Sequence, residues 1–103
     1  MQHQKYQTLN WKQNSSKNGI KSATIYENRS GGGVKYWSIP KGLGFILHSH
    51  RGYEYITLIE GEMDFSGQVL TKGDCLITLL GEEHEAVALK DSIILVTNEK
   101  SNS

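Results

Sequence analysis

Short strand-like segments separated by glycines constrain this chain more than any other feature of its sequence. Between residues 45 and 97, runs rich in β-branched and aromatic residues are interrupted by Gly61, Gly67, Gly73 and Gly81, the pattern of strands joined by turns. No window of a dozen residues has apolar residues at positions i, i+3, i+4 and i+7, as a core-facing helix requires. The expected fold class is therefore all-β. A sandwich or small barrel is favoured because one open sheet of this length would leave exposed edges.

The chain is expected to form a single domain preceded by a polar arm. Its 103 residues leave no room for a second core. Residues 1–18 are rich in Gln, Asn, Lys and Ser with few large apolar groups, so they predict a loosely attached arm. The domain is expected at residues 19–98, followed by a polar tail at residues 99–103.

Strands are predicted throughout this domain, and the first two are expected to pair as a hairpin that turns at the glycines 31–33. The predicted strands span residues 20–27, 34–39, 45–50, 53–59, 62–65, 68–70, 74–80, 85–89 and 92–97. Tyr36 and Trp37 are expected to serve packing, and either one is a candidate for contact with a substrate. Cys75 lies on a strand with apolar alternating neighbours, which favours a small buried residue over a nucleophile.

Charge and composition exclude several classes of partner. The 11 basic residues are balanced by 11 acidic ones, and no cluster of positive charge is present, so nucleic acid is not an expected partner. The longest uninterrupted apolar run has four residues, as at Ile93 to Val96, whereas a membrane-spanning helix needs about 20. The polar N-terminal segment does not resemble a signal peptide. These features predict a cytoplasmic protein without a membrane partner, and the single cysteine agrees with a reducing compartment.

Three histidines and one glutamate are the candidate metal ligands. In His48-Ser49-His50, alternation along a strand projects both imidazoles to one face, about 7 Å apart along the backbone. Glu54 has the same parity as His50 and is a candidate oxygen ligand, whereas His84 would arrive from another strand. Three imidazoles and one carboxylate leave open positions on a five- or six-coordinate ion, as a catalytic site needs. These donors suit Fe(II), Mn(II), Ni(II), Co(II) or Zn(II) without choosing among them.

The alternative interpretation gives these residues no ligand role. His48 and His50 would then be polar strand residues that face solvent beside a surface glutamate. For His84 this alternative is stronger, because Glu82-Glu83-His84-Glu85 also has the composition of a solvated acidic turn.

Two motifs make the sequence resemble the cupins, as a small single-domain bacterial type. The first cupin motif, G-x5-H-x-H-x3-E-x6-G, is matched at every fixed position and gap by Gly42, His48, His50, Glu54 and Gly61. The second motif, G-x5-P-x-G-x2-H-x3-N, is matched by Gly73, Gly81 and His84, with Leu79 in place of the proline and Ala88 in place of the asparagine.

This resemblance implies a fold and a ligand set. Cupins are double-stranded β-helices, jelly-roll barrels of two antiparallel sheets, and they commonly pair as homodimers. They bind one divalent transition metal through the residues that match His48, His50, Glu54 and His84. The segment from His50 to Glu54 is also similar to the HRGFE segment of the pirins. Pirins take their carboxylate ligand from two positions after the last histidine, where this chain has Ala86, so the general cupin assignment is kept.

The function expected from these residues is that of a metal-dependent enzyme acting on a small organic molecule, by dioxygenase, isomerase or lyase chemistry. Glu54 would be a metal ligand and also the catalytic base, if it dissociates during turnover. The alternative is a non-catalytic module that binds or senses a small ligand with the help of the metal. The sequence does not define the substrate.

Overall fold

The computed structural model describes residues 1–14, 19–48 and 52–100, with the backbone alone described at His48 and Lys100. A single 3₁₀ turn is followed by ten strands in this part of the chain. The turn is Tyr6–Thr8, and the strands are β1 (Lys12–Gln13), β2 (Lys21–Glu27), β3 (Gly31–Ile39), β4 (Gly44–His48), β5 (Glu54–Glu60), β6 (Glu62–Phe65), β7 (Gln68–Thr71), β8 (Cys75–Thr78), β9 (Glu83–Ala88) and β10 (Ser92–Lys100). The expected all-β fold class is confirmed. Within the described ranges, no helix is long and apolar enough to cross a membrane.

The strands form two antiparallel sheets that share one core. The larger sheet has six strands in the order β1-β2-β3-β10-β5-β8, and the smaller has four in the order β4-β9-β6-β7. Alternation along the strands directs one set of side chains inward from each sheet. Ile56, Leu58 and Ile94 of the larger sheet pack with Met63 and Phe65 of the smaller sheet, and all five are almost completely buried. Burial of each such side chain contributes about 1.5–3 kcal/mol relative to exposure.

The hairpin of β2 and β3 differs from the expected one in the position of its turn. The three glycines lie inside β3, and the turn is formed by residues 28–30. The Asn28 side chain holds this turn, because its Oδ1 accepts hydrogen bonds from the Ser30 and Gly32 amides at 2.9 and 3.0 Å. Gly33 has a φ of 151°, and a Cβ there would overlap the Tyr26 carbonyl oxygen. The glycines therefore allow the backbones of neighbouring strands to approach closely, and they do not form the hairpin turn.

The N-terminal arm is attached to the larger sheet by backbone and aromatic contacts. Lys12 and Gln13 of β1 pair with Ser22 and Lys21 of β2. On one face of the larger sheet, the rings of Tyr6, Trp11 and Tyr36 form an arm cluster. The Tyr6 ring is edge-on to the Tyr36 ring at a centroid distance of 5.2 Å. Trp11 completes the arm cluster, and its ring centroid lies 6.4 Å from those of both Tyr6 and Tyr36.

The expectation that Cys75 is buried is wrong. Cys75 is exposed at the start of β8, the edge strand of the larger sheet. Leu76 and Thr78 are the more buried residues of this strand, so alternation turns Cys75 and Ile77 outward. The sequence pattern was compatible with either face, and the register of β8 against β5 determines which residues are inside.

Candidate metal centre and adjoining cavity

Strands β4 and β9 bring two of the predicted ligand positions together. His48 is the last residue of β4 and lies opposite Glu83, while the preceding Leu47 lies opposite His84. Because opposite residues share a face of the sheet, His84 shares its face with Leu47, and the backbones of His48 and His84 are one register position apart on adjacent strands. His84 lies within β9, which begins two residues earlier than the sequence predicted.

The complete ligand set lies partly outside the described residues. His50 and the side chain of His48 are not described, so their predicted role stays a prediction. Among the residues that are described, no three His, Cys, Asp or Glu side chains form a group that could hold a metal ion. Glu54 and His84 are the two predicted ligands whose side chains can be placed.

Glu54 is the buried carboxylate of this region. It begins β5 and is 5% exposed, between its register partners Asn98 on β10 and Thr78 on β8. Burial of a carboxylate is costly unless hydrogen bonds or a cation compensate for the lost hydration. The fold holds a potential oxygen ligand in a buried position, and the predicted role of Glu54 as a ligand stays a prediction.

His84 is mostly shielded from solvent and lies beside a second carboxylate. Its side chain is 17% exposed, and its Nε2 is 3.6 Å from Glu82 Oε2. The same Glu82 carboxylate accepts a hydrogen bond from the Leu79 amide at 2.6 Å through Oε1, so the turn before β9 holds it in place. Sequence reasoning assigned no role to Glu82, although a carboxylate near a ligating imidazole commonly orients it.

A cavity with a volume of about 470 Å³ lies next to Glu54. Its described wall is mostly apolar and includes Trp37, Phe45 and Leu47. Glu54 and Asn14 are the polar residues among the described ones that line it. This volume is in the range of pockets that bind small organic molecules.

The two adjacent aromatic residues on β3 have different surroundings. Trp37 lines the cavity, whereas Tyr36 packs against the arm on the other face of the sheet. Asn14 was missed as a lining residue, since nothing in the polar composition of the arm distinguishes it from its neighbours.

A separate cavity of about 330 Å³ lies against the four-stranded sheet, beside Asp64, Ser66 and Glu85. Asp64 Oδ1 accepts a hydrogen bond from the Gly67 amide at 2.7 Å, and Ser66 Oγ accepts one from the Glu85 amide at 2.9 Å. These side chains stabilise the turn between β6 and β7 and its contact with β9. They give this cavity no evident ligand-binding role.

The donors near the larger cavity suit a divalent transition metal. Glu54 supplies a carboxylate oxygen donor on the wall of this cavity. His84, whose imidazole is mostly shielded from solvent, lies opposite Leu47. Leu47 lines the same cavity as Glu54. Imidazole and carboxylate donors are the combination found in mononuclear iron, manganese, nickel and zinc sites.

The model of the ChrR Cupin-like domain family matches residues 1–102 of this chain. The chain belongs to this family. The cupin resemblance read from the two sequence motifs is thereby confirmed for this ChrR Cupin-like domain. No curated protein matches its sequence significantly.

Solved structures with the same fold support the assignment. A chain in the crystal structure of Rhodobacter sphaeroides SigE in complex with the anti-sigma ChrR has a TM-score of 0.78 and 22% identity, over 92% of the present chain and 52% of its own. An RmlC-like cupin from Shewanella frigidimarina has a TM-score of 0.76 and 21% identity, over 97% and 91% of the two chains. A putative acetylacetone dioxygenase from Methylibium petroleiphilum has a TM-score of 0.83 and 16% identity, over 95% and 76%.

These similarities establish the fold. The ChrR Cupin-like domain is a cupin-type jelly roll of two antiparallel sheets, as expected from the sequence. It spans about half the length of the matched chain from the SigE and ChrR complex.

Proposed function

We propose that this ChrR Cupin-like domain is a metal-dependent enzyme that acts on a small organic molecule. One divalent transition metal would be held by His48, His50, Glu54 and His84. The observation that carries the proposal is the buried Glu54 carboxylate on the wall of an otherwise mostly apolar cavity. When bound, the metal would supply Lewis-acid or redox chemistry at its open positions.

The residues of the chain would bind the substrate and limit its contact with water. Apolar side chains such as Trp37 and Phe45 would orient the substrate and strengthen electrostatic interactions inside the cavity by excluding solvent. If Glu54 dissociates from the metal during turnover, its carboxylate would accept a proton from a substrate atom brought within hydrogen-bonding distance. Glu82 would act as a positioning residue for the His84 imidazole.

A second candidate function is a non-catalytic sensing module. It is favoured by the family match over residues 1–102 and by the structural similarity to a chain from the SigE and ChrR complex. A sensing module would bind a metal and a small ligand in the same cavity without converting the ligand. The two functions therefore differ in turnover rather than in binding.

We also propose that the domain works in the cytoplasm as a homodimer. The exposed free thiol of Cys75 is compatible with a reducing compartment. Two register partners on the larger sheet, Tyr55 and Ile77, are apolar and exposed, which offers a surface for a second copy.

The metal content of the untagged protein, purified without chelator or added metal, tests the centre. Plasma mass spectrometry should find about one transition metal per chain. The double variant His48→Ala/His50→Ala should lose this metal and keep its β-sheet circular dichroism spectrum, while the control His3→Ala should keep both. Stoichiometric metal in the double variant would refute the ligand assignment.

Turnover separates the two candidate functions. The protein loaded with iron, nickel, manganese or zinc would be incubated with small diketones and sugar acids, followed by oxygen consumption and product analysis. Conversion that depends on Glu54 supports the enzyme. Binding of these compounds without conversion under any metal would favour the sensing module.

A further inference from the structure

We propose that the cavity takes an elongated, mostly apolar molecule with an uncharged polar end, and that Asn14 binds that end by a hydrogen bond. This inference rests on the proposed function, because it places the other end of the ligand near Glu54. It adds the class of ligand and one specificity-determining residue. Asn14 is supplied by the N-terminal arm, outside the cupin motifs.

Glu54 and Asn14, the two polar lining residues, lie at different positions along the strand direction of the larger sheet, and register partners across the sheet are taken as level with one another. Glu54 is level with Asn98, which is itself opposite Gly33. The backbone N–H of Asn14 donates a hydrogen bond to the carbonyl of Ile20 at 2.8 Å, and the next residue, Lys21, lies opposite Ser38. Gly33 and Ser38 are separated along β3 by about 17 Å at a rise of about 3.3 Å per residue. A ligand that contacts both polar residues must therefore be elongated.

The wall between these two levels is apolar. Trp37 and Ile94 are register partners that both line the cavity, and Phe45 faces it from the smaller sheet. The indole of Trp37 offers a flat surface on which a ring or planar group can stack. The middle of the ligand is therefore apolar.

The charge of the wall limits the polar end of the ligand. Among the described lining residues there is no Lys or Arg, and Glu54 is the acidic one. Among these described residues, a carboxylate or phosphate group near Asn14 would find no opposite charge to offset its lost hydration. The Asn14 amide can donate and accept hydrogen bonds, so it suits a hydroxyl, carbonyl or amide group.

The tryptophans provide a direct assay. The chain has two tryptophans, so Trp11→Phe leaves Trp37 as the sole reporter of cavity occupancy. In that background, dissociation constants would be measured from Trp37 emission for 4-phenyl-1-butanol and for butylbenzene, which lacks the hydroxyl. The alcohol should bind more tightly, and Asn14→Ala should weaken its binding about 3- to 10-fold while changing that of butylbenzene less than twofold.

Two further variants separate the hydrogen bond from an effect on the arm. Asn14→Leu keeps the approximate side-chain volume and should also remove the preference for the alcohol. Gln13→Ala alters the exposed neighbouring residue and should leave both dissociation constants unchanged. Equal weakening of both probes in Asn14→Leu, or an unchanged preference for the alcohol, would overturn the assignment of Asn14.

The charge of the polar end is tested with 4-phenylbutyramide and 4-phenylbutanoate. The His48→Ala/His50→Ala background is used so that the proposed metal does not hold the carboxylate. The amide should bind at least tenfold more tightly, and equal affinities would overturn the uncharged end. None of these probes reports on catalysis. If the protein binds metal but fails these tests, the proposed ligand class is rejected and the proposed function is unaffected.

Discussion

Tyr36 and Trp37 are consecutive on β3 and lie on opposite faces of the larger sheet. The Tyr36 ring packs against the arm at 5.2 Å from the Tyr6 ring, and the Trp37 side chain lines the cavity. One strand thus connects the anchor of the arm with the candidate ligand-binding site. Asn14, which follows β1 in the arm, reaches the wall of the same cavity.

Loss of the Tyr6 ring should release the arm. Tyr6→Ala removes an edge-to-face contact with Tyr36 and one with Trp11, and such pairs contribute about 0.5–1.5 kcal/mol each beyond their buried area. In a Trp37→Phe background, Trp11 emission should shift to longer wavelength. Tyr6→Phe keeps the ring and should preserve the original emission, and an unshifted Tyr6→Ala spectrum would contradict the docking role.

Arm docking should also depend on pH in the alkaline range. Burial raises the pKa of Tyr6 above its ordinary value of 10.0, with smaller contributions from the negative charge of Glu60 and from Tyr36. The folded state therefore favours neutral Tyr6. Its contribution should be complete below about pH 10 and should be lost as the pH rises through the higher folded pKa.

A pH titration of Trp11 emission would test this expectation. In the Trp37→Phe background, docking of the arm should weaken above about pH 10. Tyr6→Phe cannot ionise and should stay docked over a wider range. Identical titrations for the two proteins would show that Tyr6 is not the responsible group.

Asn28 should contribute substantially to stability. In addition to the bonds in its turn, its Nδ2 donates a hydrogen bond to the Glu99 carbonyl at 3.0 Å, which ties the turn to β10. Asn28→Ala should lower the free energy of unfolding by about 1–3 kcal/mol, measured by urea denaturation. The control Arg29→Ala, at the exposed next position, should stay within about 0.5 kcal/mol of the parent.

Glu82→Gln should weaken metal binding while the fold is kept. The amide oxygen of glutamine can still accept the hydrogen bond from Leu79, but it brings no negative charge near His84. Loss of a partner that orients a ligand typically costs about 10- to 100-fold in metal affinity. Competition titrations with Co(II) or Zn(II) would measure the change.

Glu85→Gln is the matched control for this experiment. Glu85 is exposed on β9, follows His84 directly and lies opposite Ile46. It should retain parental metal affinity, because it removes a charge without altering the Glu82 contact. Equal losses in the two variants would indicate a general effect of acidic charge in place of a specific one at Glu82.

The proposed homodimer should be disrupted by charge on the exposed face of β8. Ile77 is 55% exposed, so Ile77→Lys should leave the core intact and change the mass measured by light scattering from dimer to monomer. Val69→Lys places a charge at an equally exposed position on the smaller sheet and should remain dimeric. A parent protein that is monomeric at micromolar concentration would refute the dimer.

The sequence predicted the strands well because glycines and β-branched residues have local preferences. It could not predict which face of an edge strand is buried, as Cys75 shows, because that depends on register against a distant strand. It placed the turn of the first hairpin at the glycines, whereas the Asn28 side chain forms it and the glycines relieve crowding between backbones.

The candidate site was predictable to different degrees at different residues. Glu54 was singled out by its spacing from the histidines, which is a local property of the sequence, and the structure shows that its side chain is buried. Asn14 and Glu82 gave no comparable signal. Their positions depend on the docking of the arm and on the conformation of one turn, which arise only in the folded molecule.

Strand β10 is last in the chain but central in the larger sheet, where it joins β3 to β5. During synthesis β3 can pair with β2, and β5 with β8, but the edges that β3 and β5 present to β10 stay unpaired until Ser92–Lys100 has left the ribosome. These edges therefore stay unpaired while residues 61–91 are synthesised, and contacts between distant residues should make folding slow. Ribosome-bound chaperones would be expected to meet this protein before its sheet has closed.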